Sequence, residues 1–188
     1  MDEQDLSRLA PYERTTRAWM SARGADLDAQ ATVHLLDRTC GDVIAALEGE
    51  ALRPLGLSHA RFVLLLTLLI SGPRETRELA NIMRVSRPAI VSVVDTLERT
   101  GLVRRRRCSE DRRLVSVRIT KAGQELTEKA QQAWHEGEKA VASVLRPEEQ
   151  RLLVDLLRRL DCGVYRSGRL AIPVAEAPTL WDPEAEDG

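Results

Sequence analysis

Aromatic residues make up only 3% of the 188-residue sequence, so aliphatic side chains must fill most of its interior. Three widely spaced cysteines make no paired framework of the kind that stabilises small secreted domains. The longest apolar run, Phe62–Ile70, is far shorter than the roughly 18 residues that a membrane span needs. The first residues are charged and lack the apolar centre of a signal peptide, so we expect a cytoplasmic chain with no membrane partner.

Sequence motifs for catalysis and metal binding are also missing. No serine lies in a nucleophile elbow, and no glycine-rich loop has the spacing of a phosphate site. His135, Glu136 and Glu138 are the best group for a metal, but their spacing is equally that of a solvated helix face. We therefore predict that the chain is not an enzyme and has no resident metal or cofactor.

Positive charge is concentrated in one stretch, although the whole chain has a formal net charge of −1. From Arg84 to Arg118 the sequence has ten arginines and four acidic residues, a local excess of six positive charges. The compensating acid lies in residues 173–188, which hold five acidic residues and no Lys or Arg. A basic block alone is commonly a solvated surface, so the structural context of this block decides what it means.

That context is a pair of helices joined by a turn within Thr76–Thr120. A short amphipathic helix leads to a turn at Arg84-Val85, after which Ser86 offers an N-cap oxygen and Pro88 occupies the first turn. Gly101 is expected to end the second helix. Apolar residues recur at helical spacing and predict one buried stripe on it, made of Ile90, Val93, Val94 and Leu97.

Leu102-Val103 and Leu114–Ile119 predict two strands that flank a highly charged tip. Helix, turn, helix and basic hairpin together are the winged helix-turn-helix arrangement, in which the second helix enters the major groove and the wing reaches the backbone or minor groove. We therefore predict binding to double-stranded DNA. The residues predicted to make the contacts are Ser86, Arg87, Pro88, Ser92, Arg104, Arg105, Arg106, Arg107, Arg112 and Arg113.

The same stretch resembles the MarR family of bacterial transcriptional regulators, with similarity from about Leu27 to Cys162. Its most specific parts are the D-x-R pattern at the wing tip and the sequence ITKAG after the second wing strand. The resemblance implies that Arg113 lies in or beside the minor groove and that Asp111 braces it. A planar guanidinium suits a narrow, negative groove, which agrees with that role.

Long helices are expected on both sides of this lobe. One is predicted from Leu27 to about Arg53, a second from Thr120 to about Leu145, and a third from Pro147 to Cys162-Gly163. Their apolar stripes exceed what one small chain can bury, so a two-fold dimer accounts for them better than an intrachain bundle. Such a dimer presents two recognition helices about one DNA turn (~34 Å) apart, and the family resemblance points the same way.

The predicted fold class is mainly α: a winged helix-turn-helix lobe with a small β wing, plus long helices that form a dimerisation region. An N-terminal helical arm covers residues 1–25, a winged-helix domain 26–163, and an acidic Pro/Ala-rich tail 164–188. Within the domain, we place the DNA-binding lobe at about 55–120. The dimerisation helices are predicted at about 27–53 and 121–162.

A small aromatic or anionic effector is a further expected partner. The candidate residues for its site are Trp19, His34, Arg38, His59 and Arg61. Each also has a plainer interpretation. Trp19 can serve as a packing anchor for the arm, and the other residues can form surface ion pairs. A cation in the first turn of a helix opposes the helix dipole, so Arg61 predicts an anionic neighbour.

Cysteine chemistry gives one alternative mechanism. Cys108 follows four arginines, which favour its thiolate and make a redox switch in the wing conceivable, whereas Cys40 is expected to be a small core residue. Our main prediction is a ligand-responsive repressor that acts as a homodimer on a roughly palindromic operator. The alternatives are a protein-binding winged helix, a redox-responsive regulator that uses Cys108, and a constitutive architectural DNA binder.

Overall fold

The computed structural model describes the backbone of residues 11–107 and 115–166, and side chains for 12–106 and 116–163. The chain divides into two compact units between Ala45 and Ala46. The division falls inside the first long helix. Among the described residues, no single helix has the length and hydropathy of a membrane span.

The first unit contains helix α1 (Pro11–Ser21) and most of helix α2 (Leu27–Leu47). Pro11 opens α1 and Gly24 follows it, with a φ of +71°. Asp26 is the cap of α2, because its Oδ1 accepts the N–H groups of Asp28 at 3.1 Å and Ala29 at 3.0 Å. Cys40 is exposed, so its interpretation as a core residue was wrong: it lies on a solvent-facing part of α2.

The predicted helix from Leu27 to about Arg53 is regular only as far as Leu47. A π-helical turn follows at Glu48–Leu52 and then a 3-10 turn at Arg53–Leu55, which Gly56 ends with a φ of +71°. The wider turn directs Ala51 and Leu52 into the core of the second unit, where they are 6% and 0% exposed.

Helix α3 (His59–Ser71) forms the centre of the second unit, as its apolar sequence predicts. Ser58 caps it by accepting the N–H of Arg61. The side chains that it buries almost completely are Phe62, Leu64, Leu65 and Leu68.

The helix-turn-helix consists of α4 (Thr76–Ile82) and α5 (Arg87–Arg99), and the wing of β2 (Val103–Arg107) and β3 (Val115–Ile119). A two-residue strand that the sequence did not signal, β1 (Arg74–Glu75), joins them in an antiparallel sheet of order β1-β3-β2. The first strand of the wing extends through the arginine run, which the sequence analysis had assigned to the tip. Pairing of Arg104 with Arg118 and of Arg105 with Val117 gives these arginines fixed directions.

Helix α6 (Lys121–Ala142) begins at Thr120, whose Oγ1 accepts the N–H of Gly123 at 3.1 Å. Helix α7 (Pro147–Arg166) begins at Pro147 as predicted, but it continues past the expected stop at Cys162-Gly163. A glycine inside a helix costs only about 1 kcal/mol relative to alanine, so Gly163 does not by itself end one.

Candidate nucleic-acid interface

The turn between α4 and α5 fixes the start of the recognition helix. Arg84 takes a left-handed conformation with a φ of +55°, and its Nη1 lies 3.7 Å from Oδ1 of Asp161. Ser86 then caps α5, with its Oγ 3.4 Å from the N–H of Ala89. Turn, cap and helix therefore lie where the sequence predicted them.

One face of α5 is buried in the core, and the opposite face is exposed to solvent. Ile90, Val94 and Leu97 are completely buried, and Val93 is partly buried. The opposite face forms an open groove lined by Arg87, Pro88, Val91, Ser92, Asp95, Thr96 and Arg99. The predicted contact residues Ser86, Arg87, Pro88 and Ser92 are all exposed in or just before the first two turns of the helix, which is the end that enters a DNA groove in winged-helix proteins.

The arginines of β2 divide into two sets, because successive side chains on a strand point to opposite sides. Arg104 and Arg106 are exposed. Arg105 is turned toward α5, where Nη2 lies 2.5 Å from Oδ1 of Asp95 and Nη1 lies 2.5 Å from Oε2 of Glu98. Its backbone N–H also donates to Oε1 of Glu98 at 2.9 Å. We call these three residues the wing clamp, since they fasten the wing to the recognition helix.

Desolvation lowers the pKa of Arg105, but hydrogen bonds and charge attraction from Asp95 and Glu98 outweigh it, so the pKa is raised overall. The guanidinium is thus held as a cation by two carboxylates. Arg105 was predicted as a DNA contact, and the clamp that it forms with Asp95 and Glu98 was not predicted. The signal was available, because Asp95 and Glu98 are three residues apart and share one face of a helix.

Several predicted DNA contacts lie outside the described residues. They are Arg112, Arg113 and the brace Asp111, together with the redox candidate Cys108. The backbone of Arg107 pairs with Val115 at the end of the described wing. The predicted roles of these side chains stay predictions.

Within the first unit, the effector candidates each have a local partner. The Trp19 ring is covered by the Arg23 guanidinium, whose Cζ lies 3.5 Å from the ring centroid. His34 lies beside Tyr12 with ring centroids 6.1 Å apart. The ion pair predicted on the same helix is also present, with Arg38 Nε 3.7 Å from Asp42 Oδ2.

Within the second unit, the first turn of α3 has the expected anionic neighbour. Oε2 of Glu48 accepts the backbone N–H of His59 at 2.9 Å, and the His59 ring stacks on Trp134 at 5.3 Å. Arg61 instead donates from Nη1 to the carbonyl oxygen of Gly56 at 3.1 Å. His59 and Arg61 are therefore both used by the fold itself.

A groove that the sequence analysis missed runs between α3 and α6. It has a volume of about 500 Å³ and combines apolar and polar walls, with Leu66, Leu69, Glu128, Gln131, Gln132 and His135 lining it. Oε1 of Gln131 is buried and has no hydrogen-bond partner among the described residues. Only the folded pairing of two distant helices creates this groove, so no sequence spacing indicates it.

Comparison with known proteins places these features in a family. The MarR family model matches residues 57–115, which span α3, the helix-turn-helix and most of the wing. YwaE of Bacillus subtilis, an uncharacterized HTH-type transcriptional regulator, is 30% identical over 146 residues, which cover 78% of this chain and 85% of YwaE.

Two solved structures have the same fold. The transcriptional regulator BldR of Sulfolobus solfataricus is 27% identical with a TM-score of 0.64, and the match covers 76% of this chain and 99% of BldR. A mutant of Escherichia coli MarR, complexed with operator DNA, is 23% identical with a TM-score of 0.63, over 68% of this chain and 91% of that protein. The identity to YwaE across most of its length, together with the winged-helix fold, shows that this chain belongs to the MarR family of DNA-binding transcriptional regulators.

Proposed function

We propose that this chain is a ligand-responsive repressor that binds a roughly palindromic operator as a homodimer. The observation that carries the proposal is the outward face of α5, which presents Arg87 and Ser92 to solvent, while the wing strand β2 exposes Arg104 and Arg106. Polar side chains on the helix suit base edges, and arginines on the adjacent strand suit phosphates. Arg112 and Arg113 at the wing tip are assigned to the minor groove, with Asp111 as the brace of Arg113.

The dimer is supported by helix α7. It carries five leucines that are 37% to 58% exposed, namely Leu152, Leu153, Leu156, Leu157 and Leu160. An apolar stripe of this length on a single helix has the character of a buried interface. A two-fold partner would cover it and place two recognition helices about one turn of DNA apart, so the operator would mirror the symmetry of the protein.

The effector is assigned to the groove between α3 and α6. Leu66 and Leu69 provide an apolar wall for an aromatic ring, and the buried Oε1 of Gln131 offers an acceptor. Phenol, which combines an aromatic ring with an O–H donor for that acceptor, tests this assignment. It should release the protein from its operator, and a Leu69→Arg variant should bind DNA but not respond to phenol. If phenol releases the variant as readily as the wild type, the effector binds elsewhere.

The repressor proposal is tested by selecting the DNA sequences that the purified protein binds from random double-stranded DNA, at two salt concentrations. We expect an inverted repeat with half-site centres about ten base pairs apart. Affinity should fall roughly 10³-fold between about 50 and 200 mM salt if six phosphates are neutralised. Recovery of no sequence, or binding that salt does not weaken, would indicate that the basic wing serves a protein partner instead.

A further inference from the structure

The centre of the recognition face holds an apolar side chain where polar base-reading residues are usual. Val91 is 41% exposed and lines the α5 groove between Arg87, one turn earlier, and Asp95, one turn later. The helix does not need it for packing, because Ile90, Val94 and Leu97 already fill the core completely. Its exposed surface is therefore available to whatever α5 contacts.

The neighbours of Val91 restrict what it can touch. Asp95 is bound by Arg105, so its carboxylate is partly neutralised and directed toward the wing. Ser92 and Arg87 stay exposed on either side and can donate hydrogen bonds. Val91 itself neither donates nor accepts, so it must face an apolar group or leave a polar base edge without a partner.

The major groove offers one such apolar group, the C5-methyl of thymine. Resting on the proposed operator binding, we infer that Val91 reads a thymine methyl in each half-site and is a specificity-determining residue. The β-branched side chain presents two methyl groups on a stiff χ1, which suits contact with a single methyl in a fixed position. The operator should hence contain a thymine, or a 5-methylated cytosine, at the same place in both half-sites.

The inference is tested on the selected operator by replacing each thymine with deoxyuridine, which lacks only the methyl. Loss of one buried methyl contact should weaken binding about fourfold for one half-site and about fifteenfold when both are changed. This loss should occur at a single symmetric position. In Val91→Ala, deoxyuridine at that position should have a much smaller effect, because the two methyl groups that make the contact are removed.

Val85→Ala provides the matched control, since Val85 is 43% exposed but lies in the turn before the helix. This variant should keep the full deoxyuridine sensitivity. The inference is overturned if wild-type protein tolerates deoxyuridine throughout an operator that it binds, or if the sensitivity disappears in Val85→Ala and persists in Val91→Ala. Failure to bind any selected DNA would instead overturn the proposed function itself, and the inference with it.

Discussion

Replacing Arg105 with alanine separates the wing clamp from a phosphate contact. The guanidinium holds Asp95 and Glu98 at 2.5 Å each, and its side chain is 27% exposed. Exposed ion pairs contribute roughly 0.2–1 kcal/mol each and charge-assisted hydrogen bonds somewhat more, so two such contacts should stabilise the lobe by about 1–2 kcal/mol. Arg105→Ala should therefore lower Tm by roughly 3–8 °C.

The same substitution should weaken operator binding for an electrostatic reason. It leaves two uncompensated carboxylates on the recognition face, and each repels a phosphate about 8 Å away by roughly 0.5 kcal/mol before salt screening. Together with a loosened wing, we expect a threefold to tenfold loss of affinity, on the order of 1 kcal/mol. Adding Glu98→Gln to Arg105→Ala should recover part of that affinity, because it removes one of the uncovered charges.

Arg104→Ala is the matched control, because its side chain is the exposed neighbour on the same strand. It should leave Tm unchanged and reduce the slope of log K against log salt by about 0.9 for each phosphate that it contacts. Thermal unfolding and operator titration over a range of salt concentrations measure both quantities. The clamp is refuted if Arg105→Ala keeps the wild-type Tm while its salt slope falls as that of Arg104→Ala does.

Two further predictions concern folding and assembly. Gly123→Ala should destabilise the lobe by several kcal/mol, because the added Cβ would clash with the carbonyl oxygen of Leu102. Gly137→Ala should lower the free energy of unfolding by less, because its Cβ meets only the flexible end of the Leu47 side chain. Chemical denaturation of both variants measures the difference. Leu156→Glu should shift the protein toward monomer in sedimentation and abolish tight operator binding. The control Arg151→Glu, on the opposite face of α7, should leave the dimer intact. If the Leu156→Glu variant remains a dimer, α7 does not form the interface.

Local signals predicted the elements of the lobe well because they act within a few residues. Ser58, Ser86 and Thr120 each cap the helix that follows, and each is a hydroxyl residue just before a helical pattern. Gly101, with a φ of +74°, follows the recognition helix as predicted. These features depend on backbone groups that lie at most four positions away, so the sequence contains nearly all the relevant information.

Features that depend on pairing between distant segments were harder to predict. The strand Arg74–Glu75 exists because β3 offers it a partner more than forty residues later. Likewise, the burial of Ala51 and Leu52 in the π-helical turn depends on packing within the second unit, which helical periodicity does not encode. The exposure of Cys40 was misjudged for a similar reason: helix faces are buried only where another element covers them.

The wing clamp shows that a count of charges along the chain does not say where those charges lie in the fold. Along the chain, Asp95 and Glu98 subtract from the arginine excess between Arg84 and Arg118. In the fold they are gathered around one arginine, Arg105, which balances one of their two negative charges and draws both carboxylates toward the wing. We therefore expect the exposed Arg87, Arg104 and Arg106 to supply most of the attraction for DNA, and the acidic pair to orient the wing.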